Sequence, residues 1–301
     1  AYCEEDCIEE FHGRLTAVMT ALGRSFEIVY VNDGSTDATF SRLRAIYDRD
    51  RNVSALVDLY TNFGRPSAMT AGLTYARGTK FLFIDCDLQL DPEDIPRLIA
   101  EHDKGFDIVS GYRLKRRDPV LRRFFSCLAN IVMRRVARHN MRDMGCAFKV
   151  FDGRLVRSFD YGPFRSWNPI YVYARARYCS EVPVSHHPRR SGGSRWSVGS
   201  LFGFYMDHLV GLAHNPFRFF CLMLGIPTAG ALMLVLLSPG LRDLVARLAT
   251  PGMAVIGYLS LVLLVLLLMA VLGEFVMRNY MVLQRYPCYV IRSVLQRPRT
   301  E

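Results

Sequence analysis

The sequence lacks the paired Cys-x-x-Cys spacing that zinc-binding modules use. Its eight cysteines are scattered along the chain, at positions 3, 7, 86, 127, 146, 179, 221 and 288. A zinc site built on cysteine pairs is therefore not expected. Because the main domain is predicted below to be cytoplasmic, the cysteines are expected to be free thiols.

Charged side chains are missing from two long stretches near the C-terminus. These stretches, 219–237 and 253–273, each approach the ~20 residues that a helix needs to cross the hydrocarbon core of a membrane. Their position near the C-terminus excludes a cleaved signal peptide. A buried core helix is the alternative, but the second stretch is apolar on every face rather than along one stripe. The sequence therefore predicts two C-terminal transmembrane helices.

Basic residues are sparse between these two stretches and dense outside them. The connector 238–252 holds only Arg242 and Arg247. Arginines cluster on both outer flanks, with Arg189, Arg190, Arg195 and Arg218 before the first stretch and Arg278, Arg285, Arg292, Arg297 and Arg299 after the second. By the positive-inside rule, both flanks are predicted to be cytoplasmic and the connector external.

The net charge of +10 indicates anionic partners. It favours attraction to lipid headgroups and binding of phosphate-bearing ligands, whereas nucleic acid is a poor match for a membrane-spanning chain. Two amphipathic segments fit a membrane surface. The basic segment 121–139 is predicted to lie at the membrane interface, with a solvated surface helix as the alternative, and 196–213 carries aromatic residues directly before the first span.

Helical and strand patterns alternate up to about residue 115, which is typical of helices packed on the faces of a sheet. Helices are predicted over 5–22, 37–49, 67–76 and 92–104, and strands over 26–32, 53–59, 80–87 and 106–112. The first helix has no strand before it and residue 1 is not Met. A preceding strand is therefore expected to be missing from the sequence.

Acidic side chains form three groups, which we expect at strand ends, where open α/β sheets place ligands. Asp33 closes the strand 26–32, Asp85 and Asp87 close the strand 80–87, and Asp143 lies in RDMGCAFKV. Two interpretations of Asp33 stay open at this point. The string Asn-Asp-Gly-Ser favours a simple turn, but a strand-end carboxylate also suits hydrogen bonds from a nucleotide base or ribose.

Asp85 and Asp87 are a more specific signal. Two carboxylates this close would repel each other unless a cation lies beside them. Residues i and i+2 of a strand share a face, so both side chains can approach one ion. Hard divalent cations such as Mg²⁺ and Mn²⁺ prefer oxygen ligands and commonly bridge to phosphates. The pair therefore predicts a divalent cation bound together with a diphosphate.

Seven motifs in order cover nearly the whole chain: AYCEED (1–6), VNDGSTDAT (31–39), NFGRPSAMTAGL (62–73), IDCDLQLDPEDI (84–95), RDMGCAFKVF (142–151), RRSGGSRWS (189–197) and LGEFVMRNYMVLQRYPCYV (272–290). Their order and spacing, with the C-terminal pair of spans, resemble the polyprenyl-phosphate glycosyltransferases of the dolichol-phosphate-mannose-synthase type. Any one string alone is a weak signal, whereas seven in order are specific. The resemblance implies an α/β fold of the GT-A type (Rossmann-like), a nucleotide-sugar donor and a divalent metal.

The resemblance also implies roles for individual residues of the donor site. The nucleoside would be held by Tyr2, Glu4 and Asp33, and the metal and diphosphate by Asp85 and Asp87, with Gln89 beside them. AYCEED resembles the element that follows the family's first strand, which agrees with a missing strand.

Two departures from the family pattern bear on the site. The family usually runs Asp-Leu-Gln directly into Asp-Pro-Pro, whereas Leu90 intervenes here before Asp91, which puts the role of Asp91 in doubt. Where some members have Gly-Asp-Phe-Arg, this chain has GCAFK at 145–149. That variant resembles bacterial members, including aminoarabinose-type transferases, and implies that the acidic role passes to Asp143.

The expected reaction is an in-line displacement at the anomeric carbon, with inversion. A phosphate monoester is already anionic near neutral pH, since its second pKa is ~6, so positioning and charge should outweigh general base catalysis. Asp87 and Asp143 are the candidate catalytic residues, Asp143 to orient a substrate or accept a proton. Candidate phosphate-binding and acceptor-binding residues are Arg113, Arg116, Arg189, Ser194 and Arg195. The alternative for the arginines is that they only contribute positive charge at the membrane surface.

These inferences predict a chain in four parts: a cytoplasmic GT-A catalytic domain over 1–195, an amphipathic juxtamembrane helix over 196–216, two transmembrane helices with their connector over 217–278, and a cytoplasmic tail over 279–301. The predicted function is transfer of a sugar from a nucleotide-sugar, with UDP preferred, to undecaprenyl or another polyprenyl phosphate. The predicted location is a bacterial inner membrane, and the resemblance implies a homo-oligomer, either a tetramer or a dimer.

Two alternatives stay open. A processive polysaccharide synthase of related fold needs more spans and a QxxRW-type motif, and SRW at 194–196 lacks the Gln. A membrane-docked module that keeps a nucleotide site without catalysis is the other. It would be favoured if Asp85 and Asp87 were replaceable without loss of function.

Overall fold

The computed structural model describes residues 1–113, 141–143, 145–159, 167, 169–188, 233, 238–240, 243 and 251–298. The chain divides into two compact units. The first joins Ala1–Ser197 with Pro287–Glu301, and the second is Val198–Tyr286. Each is described by itself.

Short helices and strands alternate in the first unit. Its described helices are α1 (Ile8–Ala21), α2 (Thr39–Arg49), α3 (Arg65–Tyr75), α4 (Ile95–His102), α5 (Gly153–Arg157) and α6 (Pro169–Tyr173). Its described strands are β1 (Ile28–Asn32), β2 (Val53–Leu59), β3 (Lys80–Phe83), β4 (Ile108–Arg113), β5 (Lys149–Asp152), β6 (Cys179–Val184) and β7 (Ile291–Gln296). The order alternates as the hydrophobic pattern predicts for helices packed on sheets.

The described strands form two sheets of mixed direction. One has the order β1-β2-β7, with β1 parallel and β7 antiparallel to β2. The other has the order β3-β5-β4-β6, in which β5 runs antiparallel to both neighbours and β6 is parallel to β4. Parallel neighbours place their carboxyl ends at the same edge, so the loops after β1 and β2 emerge side by side.

The apolar positions of these elements build the core of the first unit. Phe11 of α1, Leu43 of α2 and Leu98 of α4 are fully or almost fully buried and belong to one cluster of packed side chains. Free thiols in the described part of the chain include Cys3, Cys86, Cys146, Cys179 and Cys288.

The eight elements predicted up to residue 112 are all present, and β2 has the predicted bounds. The largest difference is β3, which ends at Phe83 rather than at residue 87. Its partner β5 begins at Lys149, opposite Phe83, so the ladder ends there. Beyond it the chain bends, and Leu88 adopts a left-handed conformation with φ 55°. The carboxylates at 85 and 87 therefore lie in a loop and not in a strand.

Strands β5, β6 and β7 are not predicted from the sequence. Strand β5 has only 4 residues, too few for a periodic pattern to stand out. Strand β7 lies in the segment predicted as a tail, and its Val294 pairs with Val57 of β2. The segment after the apolar stretches therefore completes a sheet of the first unit.

The second unit contains a long apolar helix, α7 (Pro251–Leu283). Its section Gly257–Met277, 21 residues long, is the one candidate membrane span within the described ranges. Large side chains such as Leu263 and Met269 are exposed. Exposed apolar side chains on a helix of this length favour lipid contact over a buried core. This helix coincides with the second predicted span.

Several predictions fall on residues that the structure does not describe. They are the basic segment 121–139, the juxtamembrane segment 196–213 and, except for Met233, the first predicted span 219–237. The prediction of two spans therefore rests on the sequence for its first member.

Substitution at Gly34 tests the close contact between two loops. Gly34 has φ +67°, and an added Cβ would lie 2.2 Å from the backbone carbon of Thr61. Gly23 has nearly the same φ, +66°, with nothing within 4 Å. Gly23→Ala should cost only the left-handed strain of about 1–2 kcal/mol, whereas Gly34→Ala should cost about 1–3 kcal/mol more because backbone must move.

The measurement is the apparent unfolding temperature of the purified full-length variants in detergent. Gly34→Ala should unfold at a clearly lower temperature than Gly23→Ala. Equal unfolding temperatures would contradict the close approach of the two loops.

Candidate functional site

The loop after β1 carries the first predicted site residue. Asp33 is buried, and its Oδ1 accepts a hydrogen bond from the Phe63 backbone N–H at 2.8 Å. Burial raises the pKa of the Asp33 carboxyl above its ordinary value, and the bond from Phe63 opposes that shift. Asp33 is thus more than a surface turn residue, because its carboxylate joins the loop after β1 to the loop after β2.

The N-terminal segment packs along the same loop. The Ala1 carbonyl accepts from the Asp33 N–H at 2.9 Å, and the Cys3 N–H donates to Ser35 Oγ at 2.9 Å. The N–H of Glu4, itself buried, donates to Thr39 Oγ1 at 2.8 Å. The segment that contains Tyr2 and Glu4 therefore lies along the loop that carries Asp33, and the nucleoside-binding roles of these residues stay predictions.

Buried and partly exposed residues alternate in the segment that follows β3. Cys86, Leu88 and Leu90 are buried, whereas Asp85, Asp87 and Gln89 are partly exposed. Burial raises the pKa of Cys86 to about 11, and the charges of Asp85 and Asp87 add to the shift. These residues lie outside β3, so the i, i+2 argument for a strand does not apply to them, but both carboxylates are partly exposed. Asp87 Oδ1 accepts from the Gln89 N–H at 3.1 Å.

The two exposed carboxylates fit a hard divalent cation. No cluster of three or more His, Cys, Asp or Glu side chains suited to a metal occurs among the described residues. An all-protein cage is thus not formed by them, and Mg²⁺ sites characteristically combine one or two carboxylates with substrate phosphates and water. Asp85 and Asp87 match that donor set, with the remaining ligands left to a bound diphosphate.

Arg65 is a site residue that the sequence analysis did not single out. It is the first residue of α3, and its Nε lies 3.4 Å from Asp85 Oδ1. The side chains of Arg65 and Asp85 are 44% and 42% exposed. Gly64, at φ +85°, turns the chain immediately before it. A guanidinium at the start of a helix is suited to phosphate oxygens. Its position inside NFGRPSAMTAGL was the available signal.

Asp91, whose role the sequence left in doubt, pairs with basic side chains. Arg14 Nη2 lies 2.6 Å from Asp91 Oδ1, and His187 Nε2 lies 2.7 Å from Oδ2. Burial opposes ionisation of Asp91, but the hydrogen bonds from His187 and Arg14 outweigh it and lower its pKa. The His187 N–H also donates to the Gln89 carbonyl at 2.9 Å. Asp91 therefore fastens the segment before Arg189 to the loop of Asp85 and Asp87.

At the end of β4, Arg113 and Asp143 form a nearly buried ion pair. Arg113 Nε lies 2.7 Å from Asp143 Oδ2, and Nη2 lies 2.9 Å from Oδ1. The side chains are 17% and 6% exposed. The Asp143 N–H donates to Glu181 of β6 at 3.0 Å. Two residues predicted separately, one for phosphate and one for acid chemistry, thus form one bidentate unit.

A buried lysine adjoins this pair and was missed by sequence reasoning. Lys149 Nζ donates to Ser110 Oγ at 2.8 Å and lies 5.5 Å from the Tyr173 ring centre. Burial lowers the pKa of Lys149 to about 8, against an opposing effect of Asp143 and Cys146. Lys149 is the first residue of the short strand β5, and the sequence gives no signal that it is buried, because lysine is usually exposed.

The remaining predicted site residues lie outside the described ranges. They are Arg116, Arg189, Ser194 and Arg195. The predicted site residues that the structure describes fall into two groups. One comprises the N-terminal segment and the loops after β1 and β3 (Tyr2, Glu4, Asp33, Asp85, Asp87 and Gln89), and the other is the ion pair at the end of β4 (Arg113 and Asp143).

Removing Arg113 alone should destabilise the protein strongly. Arg113→Met leaves the Asp143 carboxylate buried without its partner, a change that costs about 3–5 kcal/mol. Replacing both residues, Arg113→Met with Asp143→Leu, should restore most of the loss. Arg24→Met, which breaks the exposed pair with Asp103 (51% and 32% exposed), should cost less than about 1 kcal/mol.

Unfolding temperatures of these purified variants provide the measurement. A double variant as unstable as Arg113→Met would show that the destabilisation does not come from an unpaired carboxylate.

The stability of the Lys149→Met variant relative to the wild type should change with pH. With a pKa of about 8 in the fold and ~10.4 in the unfolded chain, the unfolded state binds more protons between these values. Wild-type stability therefore rises across that window relative to the variant. Below pH 8, the free energy of unfolding of Lys149→Met should exceed that of the wild type by up to about 3 kcal/mol, because the variant buries no charge. This difference should decrease progressively towards pH 10.

Unfolding temperatures of wild type and Lys149→Met at pH 7 and pH 9.5 test this dependence. A difference that stays constant between the two pH values would contradict burial of a protonated lysine.

Comparison with known proteins places this geometry in a family. Glycosyl transferase family 2 matches residues 1–161. Undecaprenyl-phosphate 4-deoxy-4-formamido-L-arabinose transferase of Klebsiella pneumoniae is 30% identical over 308 residues, covering 99% of this chain and 93% of that protein. The protein of the same name from Pseudomonas aeruginosa is 33% identical over 306 residues, covering 98% and 88%.

The fold resembles that of a solved glycosyltransferase. Glucosyl-3-phosphoglycerate synthase from Mycobacterium tuberculosis, in complex with Mn²⁺, uridine diphosphate and phosphoglyceric acid, superposes with a TM-score of 0.50 at 18% identity, covering 72% of this chain and 76% of that one. At this identity the likeness concerns the fold, which confirms the predicted GT-A type. The near full-length relatives confirm the resemblance to polyprenyl-phosphate glycosyltransferases. The chain therefore belongs to glycosyl transferase family 2.

Proposed function

We propose that this protein transfers a sugar from a nucleotide-sugar, UDP-linked by preference, to undecaprenyl phosphate or another polyprenyl phosphate. The observation that carries the proposal is the gathering of Asp33, Arg65 and Asp85 around one loop, in a chain whose near full-length relatives are named undecaprenyl-phosphate sugar transferases. A strand-end acidic cluster of this kind suits a nucleoside diphosphate with its cation.

On the donor side, the proposed roles follow burial. Asp33 is buried and fixed by a backbone N–H, which suits a residue that receives hydrogen bonds from the nucleoside, together with Tyr2 and Glu4. Asp85 and Asp87 are exposed enough to hold Mg²⁺ or Mn²⁺, with Gln89 beside them. When bound, the cation would neutralise negative charge on the departing nucleoside diphosphate. Arg65 is positioned to share that task as a direct phosphate contact.

On the acceptor side, the phosphate itself is the nucleophile. It is mostly dianionic at neutral pH, so no strong base is required at Asp143. Both Asp143 oxygens accept hydrogen bonds from Arg113, which favours a positioning role for Asp143 over proton transfer. Arg113 is itself a candidate phosphate contact, with Arg116, Arg189, Ser194 and Arg195 as further candidates from the sequence.

The proposed setting is the cytoplasmic face of a bacterial inner membrane. Extracting a polyprenyl tail costs about 0.8 kcal/mol for each exposed CH₂ group, so the enzyme must work at the lipid surface. The exposed apolar section of α7 supports an anchor there. The boundaries at residues 195, 216 and 278, with β7 of the last part joining the sheet of the first unit, belong to this proposal. So do a second span and a dimeric or tetrameric state.

Replacement of the exposed carboxylates tests the donor site. Asp85→Ala and Asp87→Ala should each lower sugar transfer to undecaprenyl phosphate by about 100-fold or more, because the departing diphosphate loses its neutralising cation. The measurement is lipid-linked product formed in detergent from a panel of UDP- and GDP-sugars that includes UDP-4-deoxy-4-formamido-L-arabinose.

Glu93→Gln serves as the control, because Glu93 is acidic, lies close in sequence and pairs with Arg14 at a half-exposed position (51%). It should change transfer by no more than roughly twofold. A chelator should abolish wild-type transfer, and added Mg²⁺ or Mn²⁺ should restore it. Full activity of Asp85→Ala/Asp87→Ala would overturn the proposed site, whereas a wild type that binds a nucleotide but transfers no sugar would favour a module without catalysis.

A further inference from the structure

The segment that follows α7 in the chain packs against the loop between β2 and α3. This C-terminal segment (Pro287–Gln296) includes β7, which pairs antiparallel with β2. Directly after β2 comes the β2–α3 loop (Tyr60–Gly64), which leads into Arg65. The two segments meet although they lie far apart in the sequence, since one hydrogen bond between them joins residues 232 positions apart.

The first residue of the β2–α3 loop is held on three sides. The Tyr60 N–H donates to the Val290 carbonyl at 2.9 Å, and the Tyr60 carbonyl accepts from Arg292 Nη2 at 2.7 Å. The Arg292 guanidinium also lies 5.3 Å from the centre of the Tyr60 ring. Backbone donor, backbone acceptor and ring are thus all engaged by the C-terminal segment.

Arg292 also reaches a buried polar pair at the ends of β1 and β2. Its Nη1 lies 3.5 Å from Asp58 Oδ2, and Asp58 Oδ1 accepts from Asn32 Nδ2 at 2.7 Å. Asp58 and Asn32 are each only 1% exposed. A buried carboxylate depends strongly on its partners. Asn32 directly precedes Asp33, so this chain of contacts ends at the proposed nucleoside residue.

A second contact braces the helix that carries Arg65. Tyr289 is 4% exposed and belongs to a buried cluster with Leu59 of β2 and Ala71 of α3. The C-terminal segment therefore holds both ends of the β2–α3 loop, through β2 and Tyr60 on one side and through α3 on the other.

The β2–α3 loop contacts or adjoins several residues of the proposed donor site. Phe63 N–H binds the Asp33 carboxylate at 2.8 Å, and Thr61 leaves no space for a side chain at Gly34. Arg65, immediately after the loop, lies 3.4 Å from Asp85. A shift of the loop would move the nucleoside contact and the diphosphate contact together.

We propose that Tyr289 and Arg292 are positioning residues of the donor site, which fix the β2–α3 loop for binding of a nucleoside diphosphate. The inference rests on the proposed function and extends it to a segment that touches no reacting atom. Because the contacts lead to Asp33 and Arg65, loss of Arg292 should weaken donor binding and leave acceptor binding unchanged.

The test is the affinity of full-length protein in detergent for uridine diphosphate with Mn²⁺, measured by calorimetry, together with KM for donor and acceptor. Arg292→Ala should raise the Kd for uridine diphosphate and the donor KM about three- to tenfold, the effect of one or two lost hydrogen bonds. The acceptor KM should stay within about twofold. Arg292→Lys, which retains charge and a donor, should recover part of the loss.

The chain offers a matched control. Arg177 lies over the exposed Tyr178 ring at 5.2 Å, much as Arg292 lies over Tyr60 at 5.3 Å, but on a different strand connection. Arg177→Ala should leave both KM values unchanged. Since Arg292 is proposed to act partly through Asp58, the effects of the two substitutions should not add. The Kd of Arg292→Ala/Asp58→Asn for uridine diphosphate should be no higher than that of whichever single variant, Arg292→Ala or Asp58→Asn, binds less tightly.

Unfolding temperatures accompany each titration. A folded Arg292→Ala protein that binds uridine diphosphate as tightly as Arg177→Ala would overturn the inference, as would equal increases in donor and acceptor KM. If the wild type bound neither uridine nor guanosine diphosphate, the proposed function would fail and the inference with it. Wild-type binding with an unaffected Arg292→Ala variant would overturn only the inference.

Discussion

The contact between the β2–α3 loop and the end of β1 is the constraint on which the rest of the proposed donor site depends. Asp33 can lie buried because the Phe63 N–H satisfies it, and Gly34 can approach Thr61 because it has no side chain. The same loop delivers Arg65 to Asp85. Residues from three separate strand ends therefore share one frame, and the precision of that frame limits how well a diphosphate can be oriented.

The carboxylates around this frame divide by burial, and the division has an electrostatic cause. An uncompensated buried charge is costly, so Asp143 is paired with Arg113 and Asp58 with Asn32 and Arg292. Asp85 and Asp87 are only partly buried, and Asp85 has the exposed Arg65 guanidinium 3.4 Å away. The fold thus commits its buried carboxylates to holding protein groups in place. The partly exposed pair, Asp85 and Asp87, is the one that we propose for a cation bound together with the donor.

Sequence reasoning recovered what local patterns encode. The alternating helices and strands up to residue 112 follow from side-chain periodicity. Asp33 stands out because it directly follows the apolar strand β1, and Asp85 and Asp87 because they follow an apolar run, although β3 ends before them. It could not recover contacts between distant segments. The joining of Arg113 to Asp143, the burial of Lys149 and the pairing of Asp91 with Arg14 and His187 each depend on which strands become neighbours. Strand β7 was missed for the same reason, since six residues with little alternation acquire their meaning only beside β2.

The place of β7 in the chain also constrains how the donor site can form. Strand β2 is bordered by β1 on one side and by β7 on the other, and β7 follows the long apolar helix in sequence. Until β7 has been made, one edge of β2 has no partner, and an unpaired edge is open to other strands. The Asp58 carboxylate likewise lacks Arg292 during that interval. Completion of the first unit therefore waits on residues beyond the helix, because contacts of such high sequence separation form late and at an entropic cost.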